Sequence, residues 1–202
     1  MYMTLYKQKD CPYAHSIQIA LKEKQINFEI VEWDLEANKK EILALNPEGT
    51  LPILQERDYV VYDPEVIILY VDERYPSPAL LPIYPVDRAR TRLAMKRIAK
   101  EWYSILAFIK DNLNTEKGNQ AKKALLDSFK AIEPIFSENE FFMSEAMTLA
   151  DCALAALLYA LPQIEVDIKG LKEIEKYAAR LFERESFQQT LPKKKNANRK
   201  LV

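Results

Sequence analysis

Eleven residues, YPSPALLPIYP (Tyr75–Pro85), hold four prolines and divide two unlike halves of a 202-residue chain. Proline fixes φ and has no N–H, so neither a helix nor an internal strand runs through such a stretch. It reads as a stiff, extended connection of polyproline character. The divide assigns residues 1–75 to one domain, 76–86 to a linker, 87–191 to a second domain and 192–202 to a basic tail.

Before the linker the hydrophobic period switches back and forth. Met1–Tyr6 alternates as a strand, Tyr13–Lys24 repeats Ile17, Ala20 and Leu21 at helical spacing, and Ile26–Leu35 alternates again. KKEILALNP is a short helix stopped at Asn46-Pro47, and GTLPILQERDYVVYD is two strands about a turn at Glu56–Asp58. PEVIILYVDERYP is a helix with Pro64 in its first turn, where a missing N–H costs nothing. The order βαβαββα predicts a parallel strand pair joined by a helix, with an antiparallel hairpin at the edge.

Everything after the linker reads as helical. Asp87–Asn112 carries the apolar seam Ala94, Ile98, Trp102, Ile105 and Ile109, and Asn119–Phe136 is a second helix. Thr148–Leu161 is apolar almost all round, which predicts a buried central helix. Its opening TLAD sets Thr148 and Asp151 as a capping box with Asp in place of Glu or Gln. Lys169–Glu185 is a last amphipathic helix.

Hydrophobic residues are 49%, charged residues 29% and the net charge is −1, so no global field pulls the chain toward nucleic acid or anionic membrane. No apolar run of signal-peptide length opens it, and nothing approaches a membrane span. The two cysteines sit in unlike contexts and make no disulfide framework. Together these predict a cytoplasmic protein in a reducing compartment. No His, Cys and carboxylate cluster has ligand spacing, so no metal is expected.

The chemistry-bearing candidates are few. Cys11, in KDCPYAHS, stands where a strand gives way to a helix, and the helix dipole predicts a lowered thiol pKa there. His15, the only histidine, lies four residues on and can approach it as a base, although capping or packing is the more common use of a lone histidine. Position 14 is Ala, so the motif holds no resolving thiol, and Cys152 reads as core. RARTRLAMKRIAK supplies Arg88, Arg90, Arg92, Lys96, Arg97 and Lys100 without an intervening acid. Arg88, Arg92, Lys96 and Lys100 recur every four residues as a stripe opposite the seam, either a solvated face or a site for an anion or acidic segment. The tail Lys193–Lys200 adds five positive charges, solubilising or in weak contact with DNA or a protein.

A βαβαββα domain, a proline-bearing linker and a helical domain together resemble the glutathione-transferase superfamily. Leu51-Pro52 matches its cis-proline position, the Thr148–Asp151 box its helical domain, and Cys11 or Tyr13 its first-helix thiol or hydroxyl. The resemblance implies a thioredoxin-like N-terminal domain and an all-helical C-terminal one. It also implies that Asp63-Pro64 replaces the Glu/Gln-Ser pair that holds a ligand carboxylate. Pro64 removes a hydroxyl and an N–H together, a loss of about 3–6 kcal/mol, which argues against glutathione as a ligand of the cleft formed by Cys11, Tyr13, Leu51, Pro52, Asp63 and Pro64.

Within that superfamily the chain resembles the stringent starvation protein A family, most densely in LYVDERYPSPALLPIYPVDRARTRLAMKRIAKEWYSIL and again in FFMSEAMTLADCALAALLYALPQI and RLFERESFQQTL. The resemblance implies a non-catalytic transcription regulator needing no cofactor, which binds RNA polymerase holoenzyme carrying the primary sigma factor. Its docking surface would be the linker: Tyr75, Pro76, Ser77, Pro78, Leu80 and Tyr84, with Ser77 where the family has histidine between the prolines. A dimer is implied, either a homodimer or a heterodimer with a paralogous subunit, with the basic stripe near its axis and guanosine tetraphosphate as a candidate anion. No sequence-specific DNA binding by the chain alone is expected. The alternative is a glutathione-dependent thiol transferase using Cys11. Leu80, Leu81 and Tyr84 have a second reading, as residues buried between the domains.

Overall fold

The computed structural model describes residues 2–192; Met1 of the first expected strand and the tail Lys193–Lys200 lie outside the described residues. Four strands form one mixed sheet in the order β2-β1-β3-β4. The central strand β1 (Met3–Lys7) is buried at four of its five positions. It runs parallel to β2 (Glu29–Glu32), with Thr4 opposite Glu29 and Lys7 opposite Glu32. It runs antiparallel to β3 (Ile53–Glu56), which turns back into β4 (Tyr59–Tyr62). The alternation over Ile26–Leu35 overstated β2, since β1 offers pairing partners for only four of those residues.

Helix α1 (Pro12–Glu23) crosses from β1 to β2, and α2 (Lys39–Leu45) leads to β3, burying only Ile42. Helix α3 (Pro64–Arg74) follows β4. Residues 75–84 then run without regular structure, and Leu51-Pro52 and Ser77-Pro78 are cis.

The long helix expected after the linker spans Pro85 to Asp111 but is not uniform. It comprises α4 (Pro85–Arg97), a π-helical stretch (Ile98–Tyr103) and α5 (Ser104–Asp111). The π-turn lets adjacent residues both face inward. Trp102 donates from Nε1 to Ser128 Oγ at 3.0 Å, and Tyr103 donates from its hydroxyl to the Ala153 carbonyl at 2.8 Å. The second expected helix is broken by Pro134 into α6 (Glu116–Ile132) and α7 (Ile135–Glu138).

Helix α8 (Leu149–Ala160) is buried at ten positions and packs directly against α1 of the other domain. Its capping box is formed, with Thr148 N–H donating to Asp151 Oδ2 at 2.7 Å. One hydrophobic cluster runs through both halves, from Leu5 and Ile17 to Leu154 and Tyr177. At about 1.5–3 kcal/mol for each fully buried large aliphatic side chain, that shared core fixes how the domains sit together. Helices α9 (Lys172–Glu183) and α10 (Glu185–Gln188) close the fold on α8 and α1. Among the described residues no helix is long and apolar enough to cross a membrane.

Candidate functional site

Cys11 is the N-cap residue of α1, half-buried, and lines a cleft of about 410 Å³ with Lys7, His15, Gln18 and Tyr159. The expected fall in its pKa is reversed. Burial pushes the thiol up, and the Ala14 and Tyr13 N–H groups with the Lys7 and Lys110 charges do not outweigh it. The dipole is present, but the loss of water dominates.

His15 lines the same cleft without serving the thiol. Its Nε2 lies 2.8 Å from Thr190 Oγ1, and its ring packs on Tyr159 and Phe187. Burial, with the Lys7 charge, lowers its pKa to about 4. It is a packed, neutral imidazole and a weak base. Cys152 is fully buried in α8, as its apolar context suggested.

The glutathione-type residues do not share one cavity. Tyr13 packs against Tyr103 with ring centroids 4.4 Å apart and planes tilted by 41°, and Tyr13 and Pro64 line a separate pocket of about 30 Å³ between α1, α3 and α4. Asp63 is the N-cap of α3, and its Oδ1 accepts from Glu65 N–H at 2.9 Å and Val66 N–H at 3.1 Å. These N–H groups are among those a carboxylate bound at a helix start can use. Asp63 already supplies the anion, and Pro64 has no N–H to add.

The linker is where burial and exposure separate most sharply. Pro76, Ser77, Pro78 and Ala79 are exposed, and further on Ile83 and Tyr84 are 84% and 74% exposed. Leu80 does not belong to that surface. It is 3% exposed, its N–H donates to Asp72 Oδ1 at 2.8 Å, and its carbonyl accepts from Leu149 N–H at 2.9 Å. Leu81 is buried beside it, so the reading of burial between domains holds for these two leucines and fails for Tyr84. Tyr75 is half-buried and donates to Glu56 Oε1 at 3.0 Å.

Two side chains with no motif of their own organise this segment. Lys24, at the end of α1, and Asp72, on α3, form a buried ion pair with Nζ 2.7 Å from Oδ1. The same ammonium donates to the carbonyls of Tyr75 at 2.6 Å and Pro78 at 2.7 Å. The signal for Asp72 was present in IILYVDER: it lies four residues from Ile68, on the buried face, where a carboxylate needs a partner. Lys24 carried no signal.

The basic run Arg88–Lys100 is less free than its sequence implied, although of the stripe itself only Arg92 forms an ion pair among the described residues. Arg92 reaches Glu73 on α3 at 3.3 Å, Arg90 reaches Asp87 at 3.4 Å, and Arg97 meets Glu101 at 3.0 and 3.1 Å. These exposed pairs contribute at most about 1 kcal/mol each. Arg88, Arg92 and Lys96 share an open groove of about 420 Å³ with Pro85, Ala89 and Leu93, while Lys100 lies beyond it in the π-helical stretch.

Residues 5–79 match the family model for the glutathione S-transferase N-terminal domain, and residues 97–185 that for the glutathione S-transferase C-terminal domain. The stringent starvation protein A homolog of Pasteurella multocida is 41% identical over 196 residues, covering 94% of this chain and 90% of that protein. The homolog of Coxiella burnetii is 37% identical over 191 residues, covering 94% and 91%. Among solved structures, a ternary complex of BphK, a bacterial GST, superposes with a TM-score of 0.84 at 22% identity, over 93% of this chain and 97% of that one. That last likeness speaks for the fold.

Proposed function

Because this chain belongs to the stringent starvation protein A family, we propose that it is a non-catalytic transcription regulator that docks on RNA polymerase holoenzyme carrying the primary sigma factor. The observation that supports this most is the exposed knuckle Pro76–Ala79, followed by the exposed strip Ile83–Val86. Prolines present apolar surface with little conformational freedom left to lose, which favours recognition by a protein partner. The docking residues of this reading are Tyr75, Pro76, Ser77, Pro78 and Tyr84, without Leu80. Capture of holoenzyme by wild type against a Pro76→Ala/Pro78→Ala double variant tests it. Loss of capture is expected from the variant, and equal recovery overturns the assignment.

The reading includes a dimer, homomeric or with a paralogue, for which Val86 and Leu93 of α4, 63% and 69% exposed, supply apolar surface. It also includes an anionic ligand in the groove of Arg88, Arg92 and Lys96. Calorimetric titration with guanosine tetraphosphate is the probe, and absence of both heat and thermal shift removes that part.

Three features weigh against a thiol transferase: a Cys11 thiol pushed up by burial, a helix start already occupied by Asp63, and Pro64 in place of a donor. Thiol-transfer turnover that Cys11→Ser abolishes would overturn the non-catalytic reading.

A further inference from the structure

We infer that Lys24 and Asp72 are positioning residues that preset the Pro76–Ala79 knuckle for its partner from beneath, without touching the partner. This rests on the docking reading above. The Lys24 side chain is 0% exposed and that of Asp72 is 4%, so neither can contribute to a surface. An ammonium has three protons. Here they go to Asp72 Oδ1 at 2.7 Å, the Tyr75 carbonyl at 2.6 Å and the Pro78 carbonyl at 2.7 Å.

The choice of acceptors follows from the segment's chemistry. Pro76 and Pro78 have no N–H to donate, so at half of the knuckle's residues the backbone can be held only through its carbonyls. Tyr75 O and Pro78 O bracket it, and Leu80 N–H, bound to Asp72 Oδ1 at 2.8 Å, fixes its exit. The pair is thus fastened to three backbone points in six residues, while the four residues between the outer points remain exposed.

Stability alone does not explain it. A buried ion pair can often be replaced by uncharged residues without loss, because desolvation offsets its attraction. A particular backbone shape is what this pair produces. A loop released from it occupies its binding shape only part of the time, so its apparent affinity falls by that fraction. The loss then lies in the association rate, with dissociation from the assembled complex unchanged.

The test compares wild type with Lys24→Met/Asp72→Asn, which removes both charges while leaving an oxygen for Leu80 N–H. Binding kinetics on immobilised holoenzyme are measured well below the melting temperature of every variant. Alongside run Pro76→Ala/Pro78→Ala and Leu125→Ala, a core change on α6 that lowers stability elsewhere. The expected result for the clamp variant is a roughly tenfold weaker affinity, about 1.4 kcal/mol, through slower association, together with faster hydrogen exchange at Leu80. Leu125→Ala is expected to bind as wild type. Wild-type affinity in the clamp variant, with binding lost in the proline variant, overturns the inference and leaves the docking reading standing. Wild-type binding by the proline variant fells the docking reading first, and the inference with it. Should the clamp variant not fold, Asp72→Glu, which keeps both charges but displaces the carboxylate, makes the same comparison with the same expected direction.

Discussion

Arg184 grips Glu23 through both carboxylate oxygens, Nε to Oε1 at 2.7 Å and Nη2 to Oε2 at 2.8 Å, across 161 residues of chain. Ser186 Oγ donates to the same Oε1. The pair joins the last turn of α1 to the junction of α9 and α10, and so ties the first domain to the end of the second. A bidentate guanidinium–carboxylate contact fixes orientation as well as distance.

Glu23→Gln therefore lowers stability by about 1–2 kcal/mol, and a double-mutant cycle with Arg184→Met returns a coupling of similar size. Burial pushes the Glu23 carboxyl up, but the hydrogen bonds from Arg184 and Ser186 and the Arg184 charge prevail, so its pKa lies below the ordinary value of 4.5. A depressed carboxylate stabilises the fold above its unfolded pKa and ceases to as pH falls through the folded one. Urea unfolding of wild type and Glu23→Gln should accordingly converge only at acid pH. A constant difference down to the acid limit contradicts the assignment.

His15 titrates in a different window. Its folded pKa is about 4 against an ordinary 6.5, so the unfolded chain takes up a proton first. The stability contributed by the neutral ring is complete above about pH 6.5, and falls by about 3 kcal/mol as pH drops toward 4. The chain has one histidine, so its ring-proton NMR signals are unambiguous. A midpoint near 6.5 would show the ring solvated and would reopen its pairing with Cys11.

The element order was legible because period 2 and period 3.6 alternate cleanly before the linker and only the longer period follows it. Pro64 in the first turn of α3 and Thr148-x-x-Asp151 at the start of α8 were legible as helix starts because such signals are local chemistry. What escaped was non-local. Lys24 reads as one more lysine at a helix end, and only the fold brings its ammonium under Tyr75 and Pro78, more than fifty residues on. Leu80 and Tyr84 look equally apolar in the sequence. Whether each faces Leu149 or solvent depends on where α8 docks. The Cys11 thiol was misjudged because a dipole can be read from a helix start, whereas burial depends on what packs over it.

Asp151 carries more than its cap. Its Oδ1 accepts from Phe142 N–H at 2.8 Å and Tyr177 hydroxyl at 2.6 Å, and its Oδ2 from Thr148 N–H at 2.7 Å and hydroxyl at 2.8 Å. Burial still raises its pKa despite these donors. Asp151→Ala strands three or more buried donors and should cost about 3–5 kcal/mol, enough to unfold a marginal domain. Tyr177→Phe removes one donor and leaves three, so it should cost about 1–2 kcal/mol. Thermal melts that rank the two changes equally would show that the carboxylate does not organise the α8 start.

The glutathione-type cleft gives the last test, because two separate features weigh against a carboxylate ligand there. Pro64 lacks a hydroxyl and an N–H, and reverting it to serine restores both. Asp63 remains, however, with Oδ1 on the N–H groups of Glu65 and Val66 at 2.9 and 3.1 Å. A ligand carboxylate must displace that oxygen, forfeiting an N-cap of about 0.5–2 kcal/mol. It must also sit beside the carboxylates of Asp63 and Glu65, whose like charge opposes it. Pro64→Ser alone is therefore expected to leave glutathione binding too weak for calorimetric detection. A dissociation constant tighter than about 1 mM in that single variant would show that the missing serine, and not the occupied helix start, is what excludes the ligand.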